Sequence, residues 1–287
     1  MAELSTPNDF NKAPATAGSA PRYIPHLIEP AVLNMGLSRM SHWLDVETDL
    51  AHWSKHKQAC RAAWGERVYQ VLPEALDASV EFAELIASQS NAAIIQEQLH
   101  ECIPEQRLWQ ASLSVPEDLV VMLPGTPSYR LMAASLCSPS HWRLEEKIGK
   151  PLRAVHDPIP DIHLALSDRI DRFFDHIKPD RPVERFNWSV QRGDALHALP
   201  VHEELDQQAG EQMFYRVERQ TLLRLPKTGA VAFTIRVYLD PLESLLNVPG
   251  AMPALLTAID NTPPPLAHYK GFDVIAPILK RYRSKVN

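Results

Sequence analysis

The chain has 287 residues and carries 29 lysines and arginines against 35 acids, a formal net charge of -6 at pH 7. Its 45% hydrophobic content is ample for a buried core, and the acidic balance excludes a broad nucleic-acid or anionic-membrane surface, which needs clustered positive charge. Cys60, Cys102 and Cys137 are widely spaced with no Cys-x-x-Cys pair, which excludes a disulfide framework and a cysteine zinc site and fits a reducing cytoplasm.

Residues 1–20 mix Pro, Ala, Ser and Asn without an apolar run of signal-peptide length and read as a flexible lead-in. No run approaches the roughly 20 apolar residues that span a bilayer, since residues 222–239 are interrupted by Arg224, Pro226, Lys227 and Arg236. Apolar residues at steps of three and four predict helices over 61–71 and 76–100, with a boundary at Pro73. Residues 21–108 are thus a mainly helical N-terminal extension. The apolar runs 119–123 and 129–136, separated by Pro124, Gly125 and Pro127, predict a hairpin. Ser138-Pro139 predicts a helix over 140–148 closed by Gly149, and Ile162, Leu166, Ile170, Phe173 and Ile177 mark a second helix over 161–177.

Residues 183–191, 213–225 and 230–239 alternate as strands, the last two joined by the turn Pro226-Lys227-Thr228-Gly229. Residues 242–256 and 274–285 return to helix around the stiff Pro263-Pro264-Pro265. From residue 119 the order is strand, strand, helix, helix, strand, strand, strand, which is the element order of a PAS domain. The expected architecture is α+β: a PAS-like five-stranded antiparallel sheet with crossover helices in 109–241, and C-terminal helices in 242–287 packing on it. With 10 glycines against 25 prolines there is no G-x-G-x-x-G and no phosphate loop, so any use of NADPH goes through a partner.

Of the twelve histidines, His156 stands apart. Pro158 and Pro160 restrict its loop, and Asp157 offers an acceptor for a ring N–H, the arrangement that orients metal-bound histidines. His163, on the second crossover helix, and Cys137 are the competing ligands, although Cys137 reads more simply as a small core residue. His26, His42, His52 and His56 lack partners at zinc-like spacing and read as a solvated helix face. On the strand over 213–225, Phe214, Arg216, Glu218, Gln220, Leu222 and Arg224 share one face, and Tyr215, Val217, Arg219, Thr221, Leu223 and Leu225 the other. If the second face lines a pocket, Arg219 is a buried cation in need of a carboxylate; if the first does, Glu218 and Arg224 face the ligand. A row of cross-strand salt bridges on a solvated sheet is the plain alternative. Phe186 and Trp188 are expected to point inward, with Arg185 and Asn187 at the rim.

Several segments together carry a likeness: Cys137-Ser-Pro-Ser-His-Trp142, Glu145-Glu-Lys147, Gly149-Lys-Pro-Leu152, Val155-His-Asp-Pro-Ile-Pro160, Arg185 with Asn187-Trp188, Glu218-Arg-Gln-Thr-Leu222, Arg224-Leu-Pro226, Gly229 and Phe233-Thr-Ile-Arg236. Over residues 109–241 the chain resembles the haem-dependent oxidative N-demethylases. The resemblance implies a haem b protein that uses molecular oxygen to convert a small secondary amine such as dimethylamine to methylamine and formaldehyde. It implies electrons from NADPH through a reductase carrying FMN and a 2Fe–2S cluster, and a folate-binding partner for the one-carbon product. In its light His156 becomes the axial ligand, with His163 the alternative, and Arg219, Arg185 and Asn187 become cofactor contacts. Glu218 would bind the ammonium and accept its proton, with Arg224 beside the oxygen. The competing function is a haem-based PAS sensor of gas or redox state, which ordinarily carries an output module that these helical flanks do not suggest.

Overall fold

Seven strands pair into one antiparallel sheet in the computed structural model, which describes residues 20–28, 34–37, 42–45, 49–89, 92–140, 143–155, 163–198 and 212–286. They are β1 (Asn34–Leu37), β2 (Tyr69–Val71), β3 (Asp118–Leu123), β4 (Arg130–Ser135), β5 (Val183–Arg192), β6 (Met213–Arg224) and β7 (Val231–Pro241). The spatial order is β1-β5-β6-β7-β3-β4-β2. Before β3 come α1 (Pro25–Ile28), α2 (Leu50–Trp64), α3 (Leu76–Gln89), α4 (Ala92–Glu101) and α5 (Pro104–Ser112). The short α6 (Leu144–Lys147), α7 (Leu152–Val155) and longer α8 (His163–His176) cross from β4 to β5, and α9 (Ala251–Asp260), α10 (Pro264–Tyr269) and α11 (Phe272–Val286) follow β7.

Both faces of the sheet are covered. On the crossover face, Val120, Met122, Leu222, Val231, Ile235 and Val237 pack against Leu144, Leu152, Phe174 and Ile177. The opposite face is shared between two apolar blocks. One sets Phe82, Ile86, Leu108 and Trp109 of the N-terminal helices against Val121, Ala133, Leu223 and Ala232. The other sets Met252, Leu255, Ile275 and Leu279 of the C-terminal helices against Trp188, Tyr215 and Val217. Each such large side chain contributes about 1.5–3 kcal/mol when fully buried, so the helical flanks are integral to the core.

The five strands expected from alternation occur, and β1 and β2 add one at each edge, so the sheet has seven strands rather than five. The helix expected over 61–71 is replaced by the last turn of α2, a 3₁₀ turn at Gly65–Arg67 and β2. Gly65 takes φ +52° where α2 ends, and Tyr69 to Val71 pair with β4, a long-range contact that outweighs local helical periodicity. The break at Pro73 is present: Leu72 is extended and Pro73 opens a 3₁₀ turn. Of the helix expected over 140–148, the described residues form α6: Ser140 bridges to Ala198 and Arg143 is extended just before Leu144. Pro264 and Pro265 begin α10 rather than forming a linker, since a proline in a first helical turn sacrifices no hydrogen bond. Among the described residues no helix is long and apolar enough to cross a membrane.

Candidate functional site

A buried charged network lies on the crossover face where β5 and β6 pair. Register sets Arg185 opposite Gln220, Asn187 opposite Glu218 and Ser189 opposite Arg216, so their side chains share one face. Glu218 is 8% exposed and Arg216 is fully buried. Oε1 of Glu218 accepts from Nε of Arg216 at 3.1 Å. Its Oε2 accepts from Nδ2 of Asn187 at 3.3 Å and Nε2 of Gln220 at 3.0 Å. Gln220 Oε1 in turn accepts from Nε of Arg185 at 2.5 Å. Lys270, just after α10, donates from Nζ to Asn187 Oδ1 at 3.1 Å and to the Trp188 carbonyl at 2.5 Å. Arg216 spends three of its remaining donors on Gln191, the Leu196 carbonyl and the Ser138 carbonyl, at 3.2, 3.0 and 2.6 Å.

The ionisation of the network follows from this geometry. Burial alone would raise the Glu218 carboxyl, but the Arg216 charge and the bonds from Asn187, Arg216 and Gln220 outweigh it and hold the group below the ordinary carboxylate range. Burial pulls the Lys270 ammonium down to about 8, with Arg185 pushing the same way and Glu218 opposing. Burial also lowers Arg185. Arg216 and Glu218 form a close ion pair. Arg185 and Lys270 have no carboxylate in ion-pair contact among the described residues, leaving two cations beside one already paired acid.

Next to the network, Val237 lies opposite Glu218 and Ile235 opposite Gln220. With Leu222 and the half-buried Phe233, and with Ile170 and Phe173 of α8, they form an apolar wall. A wall of this kind ending in two cations suits a flat apolar cofactor that carries two carboxylates. Haem, with its two propionates, fits that description.

The sequence-predicted residues separate in space. Arg185, Asn187 and Glu218 come together. Arg219 lies on the opposite face, where its guanidinium donates to Glu184 Oε2 at 2.8 Å, to the Trp43 carbonyl at 3.4 Å and to the His42 carbonyl. The carboxylate that Arg219 needs is therefore Glu184, and the contact ties down the segment before α2. Arg224 shares the face of Glu218 but stands six residues along β6, about 20 Å away at 3.3 Å per residue. It donates to the carbonyls of Ile177 at 2.9 Å, Gly229 at 2.6 Å and Phe174, and to the Tyr129 hydroxyl at 3.2 Å. Glu218 and Arg224 thus do not meet at one ligand. The aromatic pair points inward as expected, with Phe186 packed against the C-terminal apolar block. Trp188 stacks on Phe272 at 5.8 Å within the C-terminal apolar block, which turns Arg185 and Asn187 to the crossover face.

His156 and Asp157 lie outside the described residues, and His163 is the first residue of α8. Two members of the expected solvated histidine face are buried instead, His26 and His56, each 1% exposed. His26 is held between the Tyr215 hydroxyl at 2.7 Å and the Ala251 carbonyl at 2.9 Å, and His56 lies 3.7 Å from the Cys60 sulfur. Cys137 is a fully buried core residue. Sequence reasoning missed Arg216, Gln220 and Lys270 as parts of the network. The first two were marked by sharing the alternating face of Glu218, whereas nothing in the local sequence marked Lys270. In comparison with known families, the pattern described as haem-dependent oxidative N-demethylase, alpha subunit-like, matches residues 88–280, a span that contains every member of the network.

Proposed function

The chain belongs to the haem-dependent oxidative N-demethylase alpha-subunit-like family, and we propose that it catalyses oxygen-dependent demethylation of a small secondary amine, taking dimethylamine to methylamine and formaldehyde. The observation that carries this reading is a buried, ionised Glu218 set between an apolar wall and the cations Arg185 and Lys270. Haem b is proposed on the crossover face, its propionates met by Arg185, Lys270 and Asn187 and its iron by His156, with His163 the alternative ligand. When bound, haem supplies the oxygen chemistry. The spatial order β5-β6-β7-β3-β4 runs third, fourth, fifth, first and second among the five strands of the expected core, and α6 to α8 cover one of its faces. This supports a PAS-like core over 109–241, flanked by the N-terminal extension and the C-terminal helices.

Glu218 acts as a counter-ion for the alkylammonium. Its lowered pKa makes the carboxylate a poor proton acceptor near neutral pH, so it orients the amine and leaves deprotonation to the surrounding water. Asn187 and Gln220 fix the carboxylate plane, while Arg219 and Arg224 serve the scaffold. The alpha-subunit description supports a multicomponent system, in which a reductase with FMN and a 2Fe–2S cluster passes electrons from NADPH and a folate-binding partner takes the one-carbon product, all in the cytoplasm. The test is amine binding and formaldehyde release by haem-loaded protein with a chemical reductant. Glu218→Gln is expected to weaken dimethylamine binding at least about tenfold, the loss of a charge-assisted contact. Unchanged amine affinity in that variant would overturn the role of Glu218, and tight oxygen binding without formaldehyde would favour the sensor function.

A further inference from the structure

Lys270, at the C-terminal end of α10, carries the C-terminal helices to the site, where Tyr269 beside it also feels the Glu218 charge. Lys270 is 5% exposed, and its ammonium lies 5.1 Å from the Trp188 ring centroid and 5.9 Å from that of Phe272. It donates to the Trp188 carbonyl and to Asn187 Oδ1, and Asn187 Nδ2 donates to Glu218 Oε2. An asparagine amide has an acceptor end and a donor end. Here the cation faces the acceptor and the carboxylate faces the donor. The flipped amide would set NH₂ against ammonium and carbonyl against carboxylate, so the charges on either side fix its orientation. A lysine serving only helix packing would bury its methylenes and keep its ammonium in water. Lys270 instead gives up its hydration to reach β5. The charged groups that act on it are Glu218 and Arg185.

We propose that Lys270 is a positioning residue, pinning the Asn187 amide so that its N–H faces and holds the ionised Glu218 carboxylate. The consequence for turnover rests on Glu218 being the amine counter-ion, whereas the chain of contacts does not. The test is a double-substitution cycle in the full-length protein, read by the pH titration of ¹³C-labelled glutamate carboxyls. The Glu218 resonance is identified by its loss in Glu218→Gln. Lys270→Met is expected to raise the Glu218 pKa by about one pH unit, and to move it less than half as far in an Asn187→Ala background. Lys270→Gln, which removes the charge but keeps a donor, is measured alongside so that the result does not depend on one variant folding. No movement of the Glu218 titration, or the same movement in both backgrounds, would overturn the positioning role. If the titration behaves as expected while Glu218→Gln leaves amine binding untouched, the counter-ion reading fails and the positioning role stands.

Discussion

Arg216 and Glu218 are the closest buried ion pair of the site, with side chains 1% and 11% exposed and nitrogen and oxygen 3.1 Å apart. Removing one partner of such a pair leaves the other charged and desolvated. Arg216→Met is therefore expected to cost about 3–5 kcal/mol in urea unfolding and to raise the Glu218 pKa. A loss below about 1 kcal/mol, the range of an exposed pair, would show that the network is hydrated. Lys270 gives a pH signature of opposite origin. Its pKa falls from the ordinary 10.5 to about 8, so between those values the unfolded chain binds more protons than the native one. Stability therefore rises with pH across that window, by up to about 3 kcal/mol from this group. Lys270→Met should flatten the rise in unfolding free energy between those two pH values, and an unchanged slope would mean that the ammonium is solvated.

Arg224 shows how an element, rather than a ligand, can claim a charged side chain. Its bonds to the Ile177 and Phe174 carbonyls close the end of α8 against β6, and its bond to Gly229 holds the β6–β7 turn. Arg224→Met is expected to lower stability by about 1–3 kcal/mol and to leave amine affinity within about twofold of wild type. A large loss of affinity at unchanged stability would return Arg224 to the site. The same element explains what could be read from sequence. Strands β5, β6 and β7 were legible because their side chains alternate, and α8 because its apolar residues recur at helical steps. Which face of β6 carries the site was not legible, because both faces are covered and neither reads as the solvent side. Three-residue β2 was hidden for a different reason: it exists through pairing with β4, a partner about 60 residues away. Lys270 lies beyond the proline run, and only the packing of α9 to α11 brings it to Asn187.

At the scale of the molecule, the sheet separates two tasks. Its opposite face is occupied by apolar blocks from both ends of the chain, with Arg219, Glu184 and the Trp43 carbonyl forming a polar seam between them. Its crossover face keeps an apolar wall and two cations without a carboxylate partner among the described residues. Binding of a dianionic apolar cofactor to the native chain would relieve that charge and stabilise the fold by mass action, about 2.7 kcal/mol at a free concentration one hundred times its dissociation constant. Haem should therefore raise the melting temperature of the wild type. The gain should shrink in Arg185→Met, which removes one of the cations proposed to meet a propionate.

The most direct measurement of the central claim is the absorption spectrum of the haem-loaded protein titrated with dimethylamine, in the wild type and in His156→Ala. The wild type is expected to give a Soret band that shifts saturably with the amine, and His156→Ala to lose or displace that band. A wild-type protein that takes up no haem, or a Soret band indifferent to dimethylamine, would contradict the account.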